Sequence, residues 1–94
     1  MSTGQPLTRL HLIVRGRVQG VGFRWHAKES AESLGLSGFA RNLRDGTVEV
    51  EAEGEQEQLD EFVELLRAGN PYARVDEIAR RTVEPKGDRG FRTA

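Results

Sequence analysis

The residues most capable of chemistry in this chain lie together in Gly16-Arg17-Val18-Gln19-Gly20-Val21-Gly22-Phe23-Arg24. An apolar run precedes the stretch and a helical pattern follows it, so the spacing predicts a strand-to-helix loop. Three glycines in seven residues let the backbone turn tightly and approach a ligand with no side chain intervening. Successive N–H groups in such a loop, converging on a helix N-terminus, form a concave site for an anion. Arg24 closes the stretch with a planar, permanently charged fork that matches phosphate or carboxylate oxygens. The chemistry on offer is phosphate binding. A dinucleotide fingerprint and a P-loop are both excluded by the spacing, since no Gly-Lys-Ser/Thr follows.

The charge distribution favours an anionic ligand at that loop. Met1 to Lys28 carries five basic residues and no acidic one, whereas Glu49 to Glu64 carries eight acidic residues and no basic one. A local excess of one sign raises the concentration of the opposite ion near it. The formal net charge is only −1, which speaks against nucleic acid as the partner. With no cysteine in the chain, disulfides, iron–sulfur clusters and thiol catalysis are excluded. His11 and His26 share no ligand spacing with each other or with carboxylates, so no metal site is expected. No apolar stretch approaches the ~20 residues of a membrane span, and no signal peptide is evident. A cytoplasmic location is the expectation.

The elements that must position the loop follow from periodicity. Leu10 to Val14 is nearly continuous in apolar residues and reads as a central strand. Phe23, Ala27, Ala31 and Leu34 form one helical stripe that stops at Gly35. Leu36 to Leu43 reads as a second strand, Asp45-Gly46 as a hairpin turn, and Thr47 to Glu53 as a third strand with one face buried and one wet. Leu59, Phe62, Val63 and Leu66 line a second helix ending at Gly69-Asn70-Pro71. Val75 to Val83 is a weaker strand interrupted by Arg80 and Arg81, and Gly90-Phe91-Arg92 a short last one. The order β-α-β-β-α-β implies an α+β, ferredoxin-like sandwich: an antiparallel sheet of four to five strands with two helices on one face. Right-handed crossovers put the first and third strands at the centre, the second and fourth at the edges. Residues 1–94 are expected to form one domain, with 1–7 a flexible N-terminal extension.

Strand parity brings in a second candidate residue. A hairpin with an even-numbered loop sets Asn42 beside Glu49 and Glu51 on the open face, where its amide could hold a water or a substrate oxygen. Arg41 then sits awkwardly on the helix-covered face. A three-residue loop or a bulge would reverse the assignment.

The loop Gly16 to Arg24, followed by Gly38-Phe39-Ala40-Arg41-Asn42 and by Asp45-Gly46-Thr47-Val48-Glu49-Val50, closely resembles acylphosphatase, over about Leu10 to Phe91. The resemblance implies a hydrolase that cleaves the carboxyl–phosphate bond of acyl phosphates without metal or other cofactor. It implies that Arg24 binds the phosphoryl group, that Asn42 positions the attacking water, and that the amides of Gln19, Gly20, Val21, Gly22 and Phe23 complete the cradle. A small-molecule acyl phosphate is then the substrate, inorganic phosphate the product and inhibitor, and a monomer without nucleic-acid or membrane partners the expected state. Two other classes compete. One is a non-catalytic version of the fold that binds a phosphate- or carbamoyl-phosphate-like ligand; the other is a nucleic-acid-binding sheet, disfavoured by Glu49 and Glu51 on the expected open face.

Overall fold

Apolar spacing and glycine stops fix the element order, and a computed structural model describing residues 7–94 shows where each element lies. The order is β1 (Thr8–Arg17), α1 (Phe23–Ser33), β2 (Ser37–Asn42), β3 (Val48–Gly54), α2 (Gln56–Ala68), β4 (Arg74–Val83) and β5 (Phe91–Thr93). Of the expected extension over 1–7, only Leu7 falls among the described residues, and it is exposed. The sheet runs β4-β1-β3-β2-β5. As expected, β1 and β3 are central and β4 is an edge. The sheet is not wholly antiparallel, however: β5 runs parallel to β2 across Gly38–Ala40, so β2 is flanked rather than free. Residues 84–90 carry the chain from the β4 edge of the sheet across to the other edge, where β5 joins β2.

The helices cover the face that carries Leu10, Leu12 and Val14 of β1 and Val48, Val50 and Ala52 of β3, all at most 2 % exposed. Phe23, Ala27 and Ala31 of α1 and Leu59, Phe62, Val63 and Leu66 of α2 complete the core, with Phe91 edge-on to Phe62. Arg80 and Thr82 of β4 pair with Leu12 and Leu10 on this same face. They are tolerated because β4 is an edge strand, where Arg80 reaches Asp60 of α2 at 3.7 Å.

The parity of the β2–β3 hairpin is opposite to the expected one. Asn42 pairs with Val48, Ala40 with Val50 and Arg41 with Glu49. Leu43 N–H donates to the Thr47 oxygen and Gly46 N–H to the Leu43 oxygen, which leaves Arg44-Asp45-Gly46 as a three-residue loop. Such a loop takes a type I turn followed by a left-handed residue, and Gly46 supplies φ 92°. Asn42 therefore belongs to the helix-covered side and Arg41 to the other, where it pairs with Glu49. The awkward placement of Arg41 is thereby removed.

The face without helices is less wet than its alternating pattern suggests. Glu51 and Glu53 are 8 % and 4 % exposed, and Arg9 between them is fully buried. Arg9 Nε meets Glu51 at 2.6 Å, Nη1 meets Glu53 at 3.0 Å and Nη2 meets Asp88 at 2.9 Å. The crossover segment lies against this cluster, with Lys86 and Gly87 N–H donating to Glu53 at 2.7 and 3.1 Å. Buried charges need such partners, and the crossover that seats β5 supplies them.

Candidate functional site

The loop between β1 and α1 is shaped by two left-handed glycines. Gly20 has φ 73° and Gly22 has φ 76°, and Gly22 is the N-cap of α1 with no side-chain cap. An L side chain at that φ costs ~1–2 kcal/mol, so the turn calls for glycine. Phe23 is 1 % exposed and Val18 2 % exposed, and their side chains pin the two ends of the loop into the core. Among the described residues, no hydrogen bond within the protein uses the amides of Gln19 to Phe23 as donors. These amides and the N-terminus of an eleven-residue helix without an acidic first turn make an electropositive concavity.

Four segments meet around it. A cavity of about 270 Å³ is lined by Gly20, Gly22, Arg24, Trp25, Asn42 and Thr93, among others. Arg24 and Asn42 thus face one space, although Asn42 reaches it from the helix-covered side of the sheet. The Arg24 guanidinium is held from behind, since Nη1 donates to the Ala94 backbone oxygen at 2.8 Å and Ala94 N–H donates to the Ala40 oxygen at 2.9 Å. The parallel β5 brings these last residues to the cavity. Val21 does not line it, but faces a neighbouring groove with Arg17, Pro71 and Tyr72. Gln19 points its side chain away as well: Nε2 donates to the Leu43 oxygen at 2.7 Å and to the Thr47 oxygen at 2.9 Å, tying the cradle to the hairpin that presents Asn42.

Two residues near the site escaped the sequence reading. Trp25 reads as partial packing from the helical stripe alone, yet it is 60 % exposed at the cavity rim; its place beside Arg24 and off the apolar stripe was the available signal. Asn70 reads as a helix terminator, yet its Nδ2 donates to the Val21 oxygen at 2.8 Å. Nothing in the local pattern of Gly-Asn-Pro announces a contact to a loop so distant in sequence.

One group of metal-ligand type forms by cross-strand register. His11, Glu49 and Glu51 bring one ligand atom each within 4.8 Å of one another, a proximity invisible from their spacing in sequence. The protein's own side chains serve these carboxylates: Arg41 and the His11 ring on Glu49, Arg9 and Lys86 on Glu51. Burial pushes both carboxyls up, but those hydrogen bonds outweigh it and hold both below the usual 4.5. The arrangement holds the sheet face together, and none of its three residues lines the cavity with Arg24.

Comparison with known proteins agrees on one family. The acylphosphatase family model matches residues 10–93. The acylphosphatase of Trichormus variabilis is 48 % identical over 85 residues, covering 90 % of this chain and 84 % of that one. The crystal structure of acylphosphatase from Bacillus subtilis superposes with a TM-score of 0.91 at 37 % identity, covering 95 % of this chain and 99 % of that one. An acylphosphatase structure from Coxiella burnetii gives 0.92 at 34 % identity, covering 99 % and 100 %.

Proposed function

The chain belongs to the acylphosphatase family and is a hydrolase of acyl phosphates, and from that premise we propose that Arg24, Asn42 and the amides from Gln19 to Phe23 carry its reaction. One observation carries the assignment: residues from the glycine loop, the start of α1 and the end of β2 line a single cavity. The cradle amides and the Arg24 guanidinium bind the phosphoryl oxygens and stabilise the charge that gathers on them in the transition state. The Asn42 carboxamide holds a water in line with the carboxyl–phosphate bond. The water oxygen bonds to phosphorus, the carboxylate departs with the electrons of the broken bond, and a phosphate oxygen takes the proton of the attacking water.

An acyl phosphate already has a good leaving group, so orientation and charge stabilisation are what the reaction asks of the protein. Among the described residues, no side-chain carboxylate or histidine lines the cavity beside Arg24 and Asn42, which supports the substrate phosphate as proton acceptor. The reading takes the chain as one domain that acts as a monomer in the cytoplasm, with inorganic phosphate as product and inhibitor. Among the described residues, no helix is long and apolar enough to cross a membrane. The test is hydrolysis of benzoyl phosphate in the presence of a chelator. Turnover that persists with the chelator and is competitively inhibited by inorganic phosphate is expected. Dependence on added metal, or turnover undiminished in an Arg24→Ala variant, would overturn the assignment.

A further inference from the structure

In a trans peptide the carbonyl and the N–H lie in one rigid plane and point in opposite directions. For the Val21–Gly22 peptide, whatever holds the Val21 oxygen therefore also decides where the Gly22 N–H points. The Val21 oxygen accepts from Asn70 Nδ2 at 2.8 Å. Asn70 is itself fixed: its Oδ1 accepts from Tyr72 N–H at 2.8 Å and its backbone oxygen accepts from Ala73 N–H at 3.1 Å. Because a carbonyl can only accept and an N–H can only donate, the two contacts also fix which end of the carboxamide is nitrogen. The surfaces divide the same way. Gly22 lines the cavity with Arg24, while Val21 faces the neighbouring groove beside Pro71 and Tyr72.

We propose that Asn70 is a positioning residue for the phosphate cradle: from the α2–β4 connection it holds the Val21–Gly22 peptide so that the Gly22 N–H faces the phosphoryl oxygens. The inference rests on the phosphate-binding assignment above and extends it to a residue outside the loop. This peptide plane turns about Val21 ψ and Gly22 φ, and the glycine offers little steric resistance to rotation on its side. Rotation would present a carbonyl oxygen to an anion, which is repulsive where an N–H is attractive. Asn70 is thus needed for the sign of the local dipole, beyond its role in ending α2.

The experiment uses the full chain with Asn70→Ala, which removes the donor without adding charge, and Asn70→Asp, which keeps the acceptor for Tyr72. Inorganic phosphate is titrated while the backbone amides are followed by 15N–1H NMR, and kcat/KM is measured with benzoyl phosphate. In the wild type the Gly22 amide shifts on phosphate addition. Both variants are expected to lose phosphate affinity and kcat/KM by about tenfold, below the ~10²–10³ seen when a stabilising donor is deleted outright. Their Gly22 shift should be reduced while the remaining amide spectrum stays native. Phosphate affinity within twofold of wild type in Asn70→Ala overturns the proposal, as does a loss confined to Asn70→Asp or one that accompanies general loss of amide dispersion. If phosphate moves no loop amide even in the wild type, the cradle assignment itself fails and takes this inference with it; native binding by the wild type and the variants alike sinks only the role of Asn70.

Discussion

At the level of single residues, Arg24 and Asn42 share a cavity but are held differently, and they should fail differently. Arg24 donates to the Ala94 oxygen, a contact that restrains the side chain proposed to meet the phosphoryl group. Removing a charge-matched group from a preorganised site costs ~3–4 kcal/mol of transition-state stabilisation, about 10²–10³ in rate. Arg24→Ala is expected to lose turnover on that scale and to bind inorganic phosphate weakly. Arg24→Lys should rescue little, since a point charge cannot reproduce a planar fork. Asn42→Ala should lower kcat while leaving phosphate affinity near wild type, because the partner proposed for Asn42 is the attacking water. Phosphate titration of the three variants beside steady-state kinetics checks this; equal loss of phosphate affinity in Arg24→Ala and Asn42→Ala would refute the division of roles.

Among the elements, the β1–α1 loop and the β2–β3 hairpin act as one unit because the Gln19 side chain spans them. Gln19→Leu leaves the Leu43 and Thr47 carbonyls without that donor. At ~0.5–1.5 kcal/mol for each net hydrogen bond, the variant should lose about 1–3 kcal/mol, read as a lower denaturant midpoint. Its kcat should fall more than its phosphate affinity, since the hairpin that presents Asn42 moves relative to the cradle. Urea unfolding and kinetics on the same preparation measure both. The hairpin also shows how far the sequence could be read. Strand and helix positions followed from periodicity, the glycine loop pointed to Arg24, and Asn42 came from strand parity and from the family resemblance. The side of the sheet from which Asn42 approaches depended on one residue of loop length, and Asp45-Gly46 fits either a two- or a three-residue turn. The parallel pairing of β5, the brace from Gln19 and the contact of Asn70 were not legible, because each joins segments whose proximity only the assembled fold determines.

For the molecule as a whole, stability leans on the buried Arg9 cluster as well as on the helix-covered core. Burial pushes the carboxyls of Glu51 and Glu53 up, but hydrogen bonds from Arg9, Lys86 and Gly87 more than offset this and hold both below 4.5. Groups depressed on folding contribute stability that is present above their unfolded pKa and is lost as pH falls through the folded value. Thermal stability should therefore decline as pH drops below about 4.5. Arg9→Met leaves buried carboxylates short of partners, which typically costs ~3–5 kcal/mol. The variant should melt well below wild type at neutral pH, and the gap should narrow in acid as those carboxyls become protonated. Calorimetry of both proteins from pH 7 downward tests the sign; a gap that widens with acid would contradict it.

The central place of β1 in the sheet also has a bearing on synthesis. Its two neighbours are β3 and β4, with Leu10 set against Ala52 on one side and Thr82 on the other. On the ribosome, a nascent chain that has released β1 through α2 still carries β1 with one row of backbone groups unpaired. Only when β4 has cleared the exit tunnel can that row close, so a stalled or truncated translation product would present an interior strand of the sheet as a ready template for a neighbouring chain.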